Sequence, residues 1–268
     1  MPPPHPTPAP STPGGVRPHP TLTEYYADAN ARRQFVDGLF DDTAADYDRI
    51  ERVLAFGSGR WYRRSALERA GVREGMRLLD VGCGTGLVAR EALALVGPAG
   101  SVTGVDPSRG MLGAATTAGV RLVVGRAEAL PCANASADAL TMGYALRHID
   151  DLARAFAEFH RVLTPGGRVL ILEITRPQGR LATLTLRTYM RALVPLIARV
   201  VARRRATSLL WRYYWDTIEA CVPPQTVMQA LRDAGFTQVR REVQLGIFCE
   251  YTALKTGPSG TKNENQVA

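Results

Sequence analysis

An α/β doubly wound domain is the fold that the sequence predicts, with a mostly parallel β-sheet between layers of helices. Between residues 76 and 173, five short apolar runs alternate with helical stretches; the runs are MRLLDV, SVTGVD, VRLVVG, ADALTMGYA and GRVLILEI. This alternation is typical of parallel strands joined by crossover helices. The later stretch TQVRREVQLGIFCEYTALK suits two antiparallel strands. We therefore expect the sheet to close with an antiparallel C-terminal strand.

Helical additions flank the predicted sheet on both sides. Residues 29–70 have mainly helical character, and a long helical region is predicted over residues 181–221. In the following PPQTVMQALRDAGF, prolines mark the start of another helix and Gly235 marks its end. The 181–221 region is interpreted as a lid over a substrate or as an insertion that faces a membrane.

One folded domain over residues 25–255 fits the composition. A chain of 268 residues that is 46% hydrophobic can bury a substantial core. Nine of the 18 prolines fall within the first 20 residues, so residues 1–24 are predicted to be a disordered Pro-rich tail and residues 256–268 a second tail. The first stretch lacks the apolar segment of a secretory signal and carries a single arginine, Arg17, which disfavours a transit peptide. A cytoplasmic location follows from these features as an expectation.

The net charge of +8 is concentrated in one segment. No acidic residue lies between Glu173 and Asp216, where arginines alternate with aliphatic runs. These arginines interrupt the run too often for a membrane span. A helix in the headgroup plane of an anionic membrane fits better, peripheral to the inner face of the cytoplasmic membrane, with arginines reaching the phosphates. A buried helix with a solvated basic edge remains the alternative, and the absence of a stacking array argues against a nucleic acid partner.

Cysteines and histidines offer little for metal binding. Four cysteines lie far apart without a Cys-x-x-Cys pair, so we interpret them as reduced thiols. Outside the predicted tail only His148 and His160 remain, and a three-histidine metal site is therefore excluded. No metal is predicted.

A glycine-rich loop follows the first predicted strand. LLDVGCGTG places Gly82, Gly84 and Gly86 where a helix should begin, so the backbone can approach a ligand closely. Asp80 just before the loop would repel a pyrophosphate but attract an amino group or a sulfonium. The third glycine also comes one residue early for the dinucleotide pattern. The loop thus favours S-adenosyl-L-methionine over NAD, and a tight turn without a ligand is the alternative.

Acidic and small residues after the next two strands complete the predicted cofactor site. Asp106 ends the second strand, where its carboxylate can accept hydrogen bonds from both ribose hydroxyls; capping of the following helix is the alternative. GRAEALP follows the third strand and places Arg126 and Ala127 where adenine should lie.

Several blocks together resemble a known family. The chain is similar to the ubiquinone/menaquinone biosynthesis C-methyltransferases of the UbiE type, within the Rossmann-like class I S-adenosylmethionine-dependent methyltransferases. The resemblance covers roughly residues 35–254 and rests on these stretches: FDDTAADYDRI, LLDVGCGTG, VDPS, AEALP, MGYALRHIDD, EFHRVLTPGGRVLILEITRP and RYYWDTIEACVPPQTVMQALRDAGF.

The resemblance carries site assignments and also shows departures. It implies that Tyr47 lies on an N-terminal helix that folds over the cofactor, although a core position for this aromatic residue is the alternative. The family commonly has an aspartate where Arg126 stands, accepting the adenine amino group, and an asparagine where His148 stands. GIFCEYTALK also differs from the usual final strand. The first departure leaves the adenine contact partly to the backbone at Ala127.

The stretch MGYALRHIDD is the candidate catalytic segment. Methylation of a ring carbon needs an adjacent hydroxyl to lose its proton, so a base or a cation should lie near the end of the fourth strand. Arg147 can stabilise a phenolate or orient a water, His148 can accept the proton, and Tyr144 can contact substrate or cofactor. In the alternative interpretation, Arg147 pairs with a following aspartate and His148 caps the next helix.

The sequence thus predicts an S-adenosylmethionine-dependent C-methyltransferase for a prenylated quinol or a related lipophilic phenol. The alternatives are N-methylation of a phospholipid headgroup, O- or N-methylation of a small metabolite, and a regulatory protein that binds the cofactor without turnover. A homodimer is left open.

Overall fold

The computed structural model describes residues 15–54, 58–177, 179–194, 196 and 205–257. Within these ranges, seven strands form one sheet in the order β3-β2-β1-β4-β5-β7-β6. The strands are β1 (Arg77–Val81), β2 (Ser101–Asp106), β3 (Arg121–Val124), β4 (Ala137–Gly143), β5 (Leu163–Ile174), β6 (Phe236–Gln244) and β7 (Phe248–Lys255). Strands β1 to β5 pair in parallel, and β7 pairs antiparallel with both β5 and β6. The predicted doubly wound sheet with antiparallel C-terminal strands is confirmed.

Helices cover the faces of the sheet and the carboxyl ends of its parallel strands. Those within the described ranges are α1 (Ala29–Leu54), α2 (Gly59–Arg69), α3 (Leu87–Val96), α4 (Arg109–Ala114), α5 (Leu152–Val162), α6 (Arg180–Thr188), α7 (Arg205–Ala220) and α8 (Pro224–Asp233). A short 3₁₀ turn (Leu146–His148) follows β4, and a π-helical turn (Tyr189–Leu193) extends α6. Helix α8 begins at its prolines, and Gly235 follows it with a φ of 94°, as its sequence predicts.

Alternating burial along the strands produces the core. Strand β4 is buried along most of its length because parallel strands have helices on both faces. Helix α5 buries one apolar face, which includes Phe156 and Phe159, against the sheet. A second cluster joins α1 to α7 through aromatic side chains such as Trp211 and Tyr213. The helical additions therefore pack on the domain and on each other, at the end of the sheet that holds the candidate site.

The boundary predicted for the N-terminal tail is wrong in part. Residues 1–14 lie outside the described residues, but residues 15–24 pack on the domain. The Leu152 N–H donates to the Val16 carbonyl at 2.8 Å, and the Val222 N–H donates to the Pro18 carbonyl at 2.8 Å. His19 is buried, and burial lowers the pKa of its imidazole to about 4. A proline-rich segment has few backbone N–H groups to donate, yet its carbonyls can accept hydrogen bonds from neighbouring loops.

The region predicted as a lid is helical where it is described. Helix α6 lies beside the β6–β7 hairpin, and α7 packs on α1. The stretch between α6 and α7, which carries part of the basic segment, falls largely outside the described residues. No helix in the described part of the chain is long and apolar enough to cross a membrane.

Candidate active site

A deep cavity opens at the carboxyl ends of the parallel strands. It encloses about 1070 Å³ of empty space, part of it continuous with solvent. Its walls come from β1, β2 and β4 with their following loops, from α1, and from Tyr214 on α7. In doubly wound sheets this edge is the usual ligand site, because the loops after neighbouring strands diverge there.

The glycine loop forms the floor of the cavity, as its sequence predicts. The N–H of Gly82 donates to the Val105 carbonyl at 2.7 Å, which ties the loop to β2. A side chain at Gly82 would collide with Ala145, whereas Gly84 has a φ of 54° and open space where a side chain would project. A ligand can therefore approach the backbone at Gly84 closely. Gly86 precedes α3 outside the cavity wall, where a side chain would meet Thr117 instead.

Asp80 presents a buried carboxylate to the cavity. One of its oxygens accepts a hydrogen bond from the Thr141 hydroxyl at 2.7 Å. The other, Oδ2, is buried and has no hydrogen-bond partner among the described residues. Burial raises the pKa of Asp80 to about 7, partly offset by the Thr141 hydroxyl and the backbone N–H of Ala89. A cation beside Oδ2 would stabilise the ionised form, so this position is suited to an ammonium group.

Asp106 lies across the glycine loop from Asp80. Its two oxygens accept from the backbone N–H groups of Gly84 and Ser108, at 2.8 and 2.9 Å. Burial raises the pKa of Asp106 to about 6, although these two hydrogen bonds oppose the shift. Each carboxylate oxygen keeps a further lone pair, so the side chain can accept from two vicinal hydroxyls at once.

Helix α1 closes the cavity from above through two aspartates. Asp41 accepts from the Ser108 hydroxyl at 2.5 Å and from the Gly110 N–H at 2.8 Å. Asp48 accepts from the hydroxyl of Thr85 in the glycine loop. These contacts hold α1 over the loop and over the start of α4. The helix is therefore fixed beside the mouth of the cavity.

The sequence as a whole matches the ubiE/COQ5 methyltransferase family over residues 27–255. The chain belongs to this family. It is accordingly an S-adenosylmethionine-dependent methyltransferase, and we expect its cofactor in the cavity just described.

Named relatives and solved structures agree with this assignment. The methyltransferase is 31% identical over 220 residues, 79% of this chain and 86% of the relative, to the ubiquinone/menaquinone biosynthesis C-methyltransferase UbiE of Shewanella sp. (strain ANA-3). It is 33% identical over 217 residues, 77% of this chain and 86% of the relative, to a demethylmenaquinone methyltransferase of Symbiobacterium thermophilum. A methyltransferase structure from Aquifex aeolicus covers 78% of this chain and 98% of its own at 18% identity, with a TM-score of 0.56. That likeness concerns the fold.

The residues of the cavity fit S-adenosylmethionine. Asp80 offers an unpaired, buried carboxylate oxygen for the amino group of the methionine part, and Asp106 offers paired acceptors for the ribose hydroxyls. The open backbone at Gly84 leaves room between them. A buried carboxylate oxygen without a partner is costly in the absence of a cation, so Asp80 Oδ2 indicates a positively charged ligand.

The two residues predicted to contact adenine, Arg126 and Ala127, both lie in the cavity wall. Arg126 lines the cavity and lies 3.3 Å from Asp37 of α1 and 3.7 Å from Asp150. Its guanidinium is thus held by two carboxylates. Ala127 is buried beside it in the cavity wall. A contact between adenine and these two residues stays a prediction.

The other half of the cavity is aromatic. Tyr47 lines it, and its hydroxyl lies 2.9 Å from the hydroxyl of Tyr214. Tyr144 lines it too, with a φ of 61° that is strained for a residue with a side chain. Such strain costs about 1–3 kcal/mol and concentrates at functional sites. The ring of Phe40 completes this wall and contacts His148, with ring centroids 5.2 Å apart.

His148 lies in the cavity wall with both ring nitrogens buried and without hydrogen-bond partners among the described residues. Its ring stacks on Tyr213, with centroids 5.6 Å apart. Burial and the charges of Arg147 and Arg32 hold the pKa of His148 well below its usual range. The imidazole is therefore neutral, which weakens it as a proton acceptor but leaves a donor and an acceptor available to a ligand.

Arg147 does not line the cavity. It is fully buried, pairs with Glu173 at 2.8 Å, and donates to the Thr217 hydroxyl at 2.6 Å and to the Tyr214 carbonyl at 3.2 Å. Its guanidinium lies over the Tyr214 ring, 4.9 Å from the centroid. The predicted pairing partners, the aspartates that follow it, bind elsewhere: Asp150 pairs with Arg32 at 2.7 Å. Arg147 can therefore reach a substrate only through Tyr214.

Sequence reasoning missed several residues of this site. Tyr214 and Glu173 come from distant segments, and only the fold brings them to Arg147. The sequence did contain a signal for Asp41 and Asp48. Their spacing of seven residues places both carboxylates on the same face of helix α1. Among the described residues, no cluster of three or more histidine, cysteine or acidic side chains is placed to hold a metal.

Proposed function

We propose that this methyltransferase methylates a ring carbon of a prenylated quinol or a related lipophilic phenol. The observation that carries the proposal is the aromatic half of the cavity, where a flat ring can stack beside the unpartnered ring nitrogens of His148 and the hydrogen-bonded hydroxyl pair of Tyr47 and Tyr214. The names of the relatives, which specify ubiquinone and menaquinone biosynthesis and demethylmenaquinone, support the same acceptor class.

The chemistry requires control of protons on the acceptor. A ring carbon becomes nucleophilic when the neighbouring hydroxyl loses its proton, and after methylation the same carbon must lose its hydrogen as a proton to restore the aromatic ring. When bound, S-adenosylmethionine supplies the methyl group on a sulfonium, whose sulfur retains the bonding electron pair. The protein must therefore hold an oxyanion and receive a proton on the acceptor side.

Tyr214 and His148 are placed to hold the acceptor oxygen. Burial raises the pKa of the Tyr214 hydroxyl, but the Arg147 guanidinium beneath its ring and the Tyr47 hydroxyl oppose the shift. The positive charge makes Tyr214 a better hydrogen-bond donor to an oxyanion. The neutral ring of His148 can bind the same oxygen or a water next to it. In this proposal Arg147 is a positioning residue, and Tyr144 contacts the acceptor ring.

The test uses the purified protein, methyl-labelled S-adenosylmethionine and three acceptor pools: a demethylated prenylated quinol, a phospholipid extract and a pool of soluble metabolites. We expect label in the quinol, on a ring carbon by mass spectrometry, and none when Asp106→Ala replaces the wild-type protein. Label in phospholipid or in a soluble amine or hydroxyl would overturn the acceptor assignment. Binding of the cofactor without transfer to any pool would point to a regulatory protein.

A further inference from the structure

An exposed apolar surface lies beside α6 and the β6–β7 hairpin; we call it the hairpin face. Leu181 and Leu184 of α6 are 78% and 57% exposed, and Leu245 at the hairpin tip is 77% exposed. Val243 of β6 adds to them, and a groove runs between the helix and the hairpin. Exposed leucines grouped in this way on a folded domain usually mark a contact surface.

The hairpin face lies at the same edge of the sheet as the cavity. Strand β5 ends at Ile174, which pairs with Phe248, and the Thr175 N–H donates to the Ile247 carbonyl at 2.8 Å. The hairpin tip therefore projects from the carboxyl edge of the sheet. Phe248 also contacts Tyr62 of α2, with ring centroids 4.6 Å apart. Arg63, which follows Tyr62 in α2, lines the cavity, so the hairpin and the cavity share this helix as a neighbour.

Basic side chains surround these leucines. Arg176, Arg180 and Arg187 are exposed, and residues 174–215 contain no aspartate or glutamate. Positions 180, 184 and 187 fall on one face of α6, so arginine and leucine side chains share that face. Glu242 and Val243 are neighbours in β6, so their side chains point to opposite sides of the strand. The acidic Glu242 therefore does not share the side of Val243.

We infer that the hairpin face binds the surface of an anionic lipid bilayer and turns the edge of the cavity toward it. Leucines next to arginines match a lipid interface, where apolar side chains enter the acyl boundary and guanidinium groups bind phosphates. A second copy of the chain would bring the same excess of positive charge to the contact, whereas an anionic bilayer offers phosphates for the arginines and an acyl boundary for the leucines. The inference rests on the proposed function only in that a lipid acceptor would reach the cavity from the bilayer.

Vesicle cosedimentation of the full chain tests the inference. The probes are phosphatidylcholine vesicles with and without phosphatidylglycerol, at low and high salt. We expect binding that requires phosphatidylglycerol and declines with salt. The double variant Arg180→Glu/Arg187→Glu should lose at least tenfold in binding, since each basic residue near an anionic surface contributes roughly fivefold. Leu181→Ser/Leu245→Ser should weaken binding without removing its salt dependence.

Arg73→Glu/Arg121→Glu is the matched control. Both arginines are exposed and lie at the amino ends of β1 and β3, the opposite edge of the sheet. Vesicle binding should persist in this control, and an equal loss would show that net charge alone is responsible. Equal wild-type binding to neutral vesicles, or self-association by light scattering without vesicle binding, would also overturn the inference. Methyl transfer to a short-chain, water-soluble quinol should be unchanged in Arg180→Glu/Arg187→Glu, so that failure of docking and failure of the proposed function give different results.

Discussion

Replacement of Asp80 by asparagine should stabilise the protein without cofactor at pH 8 and abolish tight cofactor binding. Asp80 is buried, and its folded-state pKa of about 7 lies above its ordinary value of 3.8. Because the pKa is raised, the unfolded chain releases this proton first as pH increases. The contribution of Asp80 to stability is therefore most favourable below pH 3.8 and is lost as pH rises to about 7.

The magnitude follows from the size of that shift. Each pKa unit corresponds to about 1.4 kcal/mol, so the raised pKa of Asp80 costs the folded protein about 4 kcal/mol at pH 8, where the buried group is ionised, and about 2 kcal/mol at pH 5, where folding must protonate it. Asparagine removes this dependence but leaves an amide donor unpaired at about 1–3 kcal/mol at every pH. The free energy of unfolding of Asp80→Asn relative to wild type should thus rise by about 2–3 kcal/mol between pH 5 and pH 8.

Urea denaturation followed by circular dichroism, at several pH values with and without S-adenosylhomocysteine, measures both effects. Without ligand, the free energy of unfolding of the variant should increase relative to that of the wild type as pH rises. With ligand, the wild type should become more stable, whereas the variant should change little. Asp138→Asn is the control, since hydrogen bonds from Arg77 lower the pKa of the half-buried Asp138 to about 2. Its effect on stability should stay constant between pH 5 and 8. Parallel pH curves for Asp80→Asn and wild type, or unchanged ligand affinity, would refute the reasoning.

Further predictions concern the two halves of the cavity. Asp106→Ala should weaken cofactor binding by about 2–3 kcal/mol, measured by titration calorimetry, because it removes charge-assisted hydrogen bonds; an unchanged affinity in a folded variant would contradict the ribose assignment. Arg147→Ala should lower the free energy of unfolding by about 3–5 kcal/mol, because it leaves the buried Glu173 unpaired. Arg147→Met/Glu173→Leu should recover the free energy of unfolding lost in Arg147→Ala. The same double variant should shift the alkaline limb of the kcat/KM profile to higher pH. Wild-type turnover with an unshifted profile would show that Arg147 has only a structural role. His148→Asn should change kcat less than tenfold, with no wild-type inflection near pH 6.5, because the imidazole is already neutral; a loss of about 10²- to 10⁴-fold would restore it as the general base.

Much of the arrangement of the predicted cofactor half follows from the sequence, although the contacts of Asp41 and Asp48 do not. Asp80, the glycine loop and Asp106 follow strands within one alternating pattern, and a parallel sheet brings the ends of such strands to one edge. Local order along the chain therefore determines their arrangement in space. Gly86 is placed in the turn before α3, where its conformation rather than contact with a ligand explains the residue.

The acceptor half depends on contacts that no local pattern contains. Arg147 and His148 are adjacent in sequence, but one lies behind the cavity wall and the other within it. This separation arises because Glu173 of β5 and Thr217 of α7 draw the guanidinium into the core. The sequence offers both residues as catalytic candidates and cannot distinguish a substrate contact from a buried support.

The packed segment between Gly15 and Pro20 has a practical consequence for protein engineering. Its carbonyls receive the N–H groups of Leu152, at the start of α5, and of Val222, just beyond α7. Trimming the proline-rich N terminus at residue 24 to aid crystallisation would leave these two donors without their acceptors. Affinity tags or cleavage sites are better inserted before residue 15, so that both hydrogen bonds are kept.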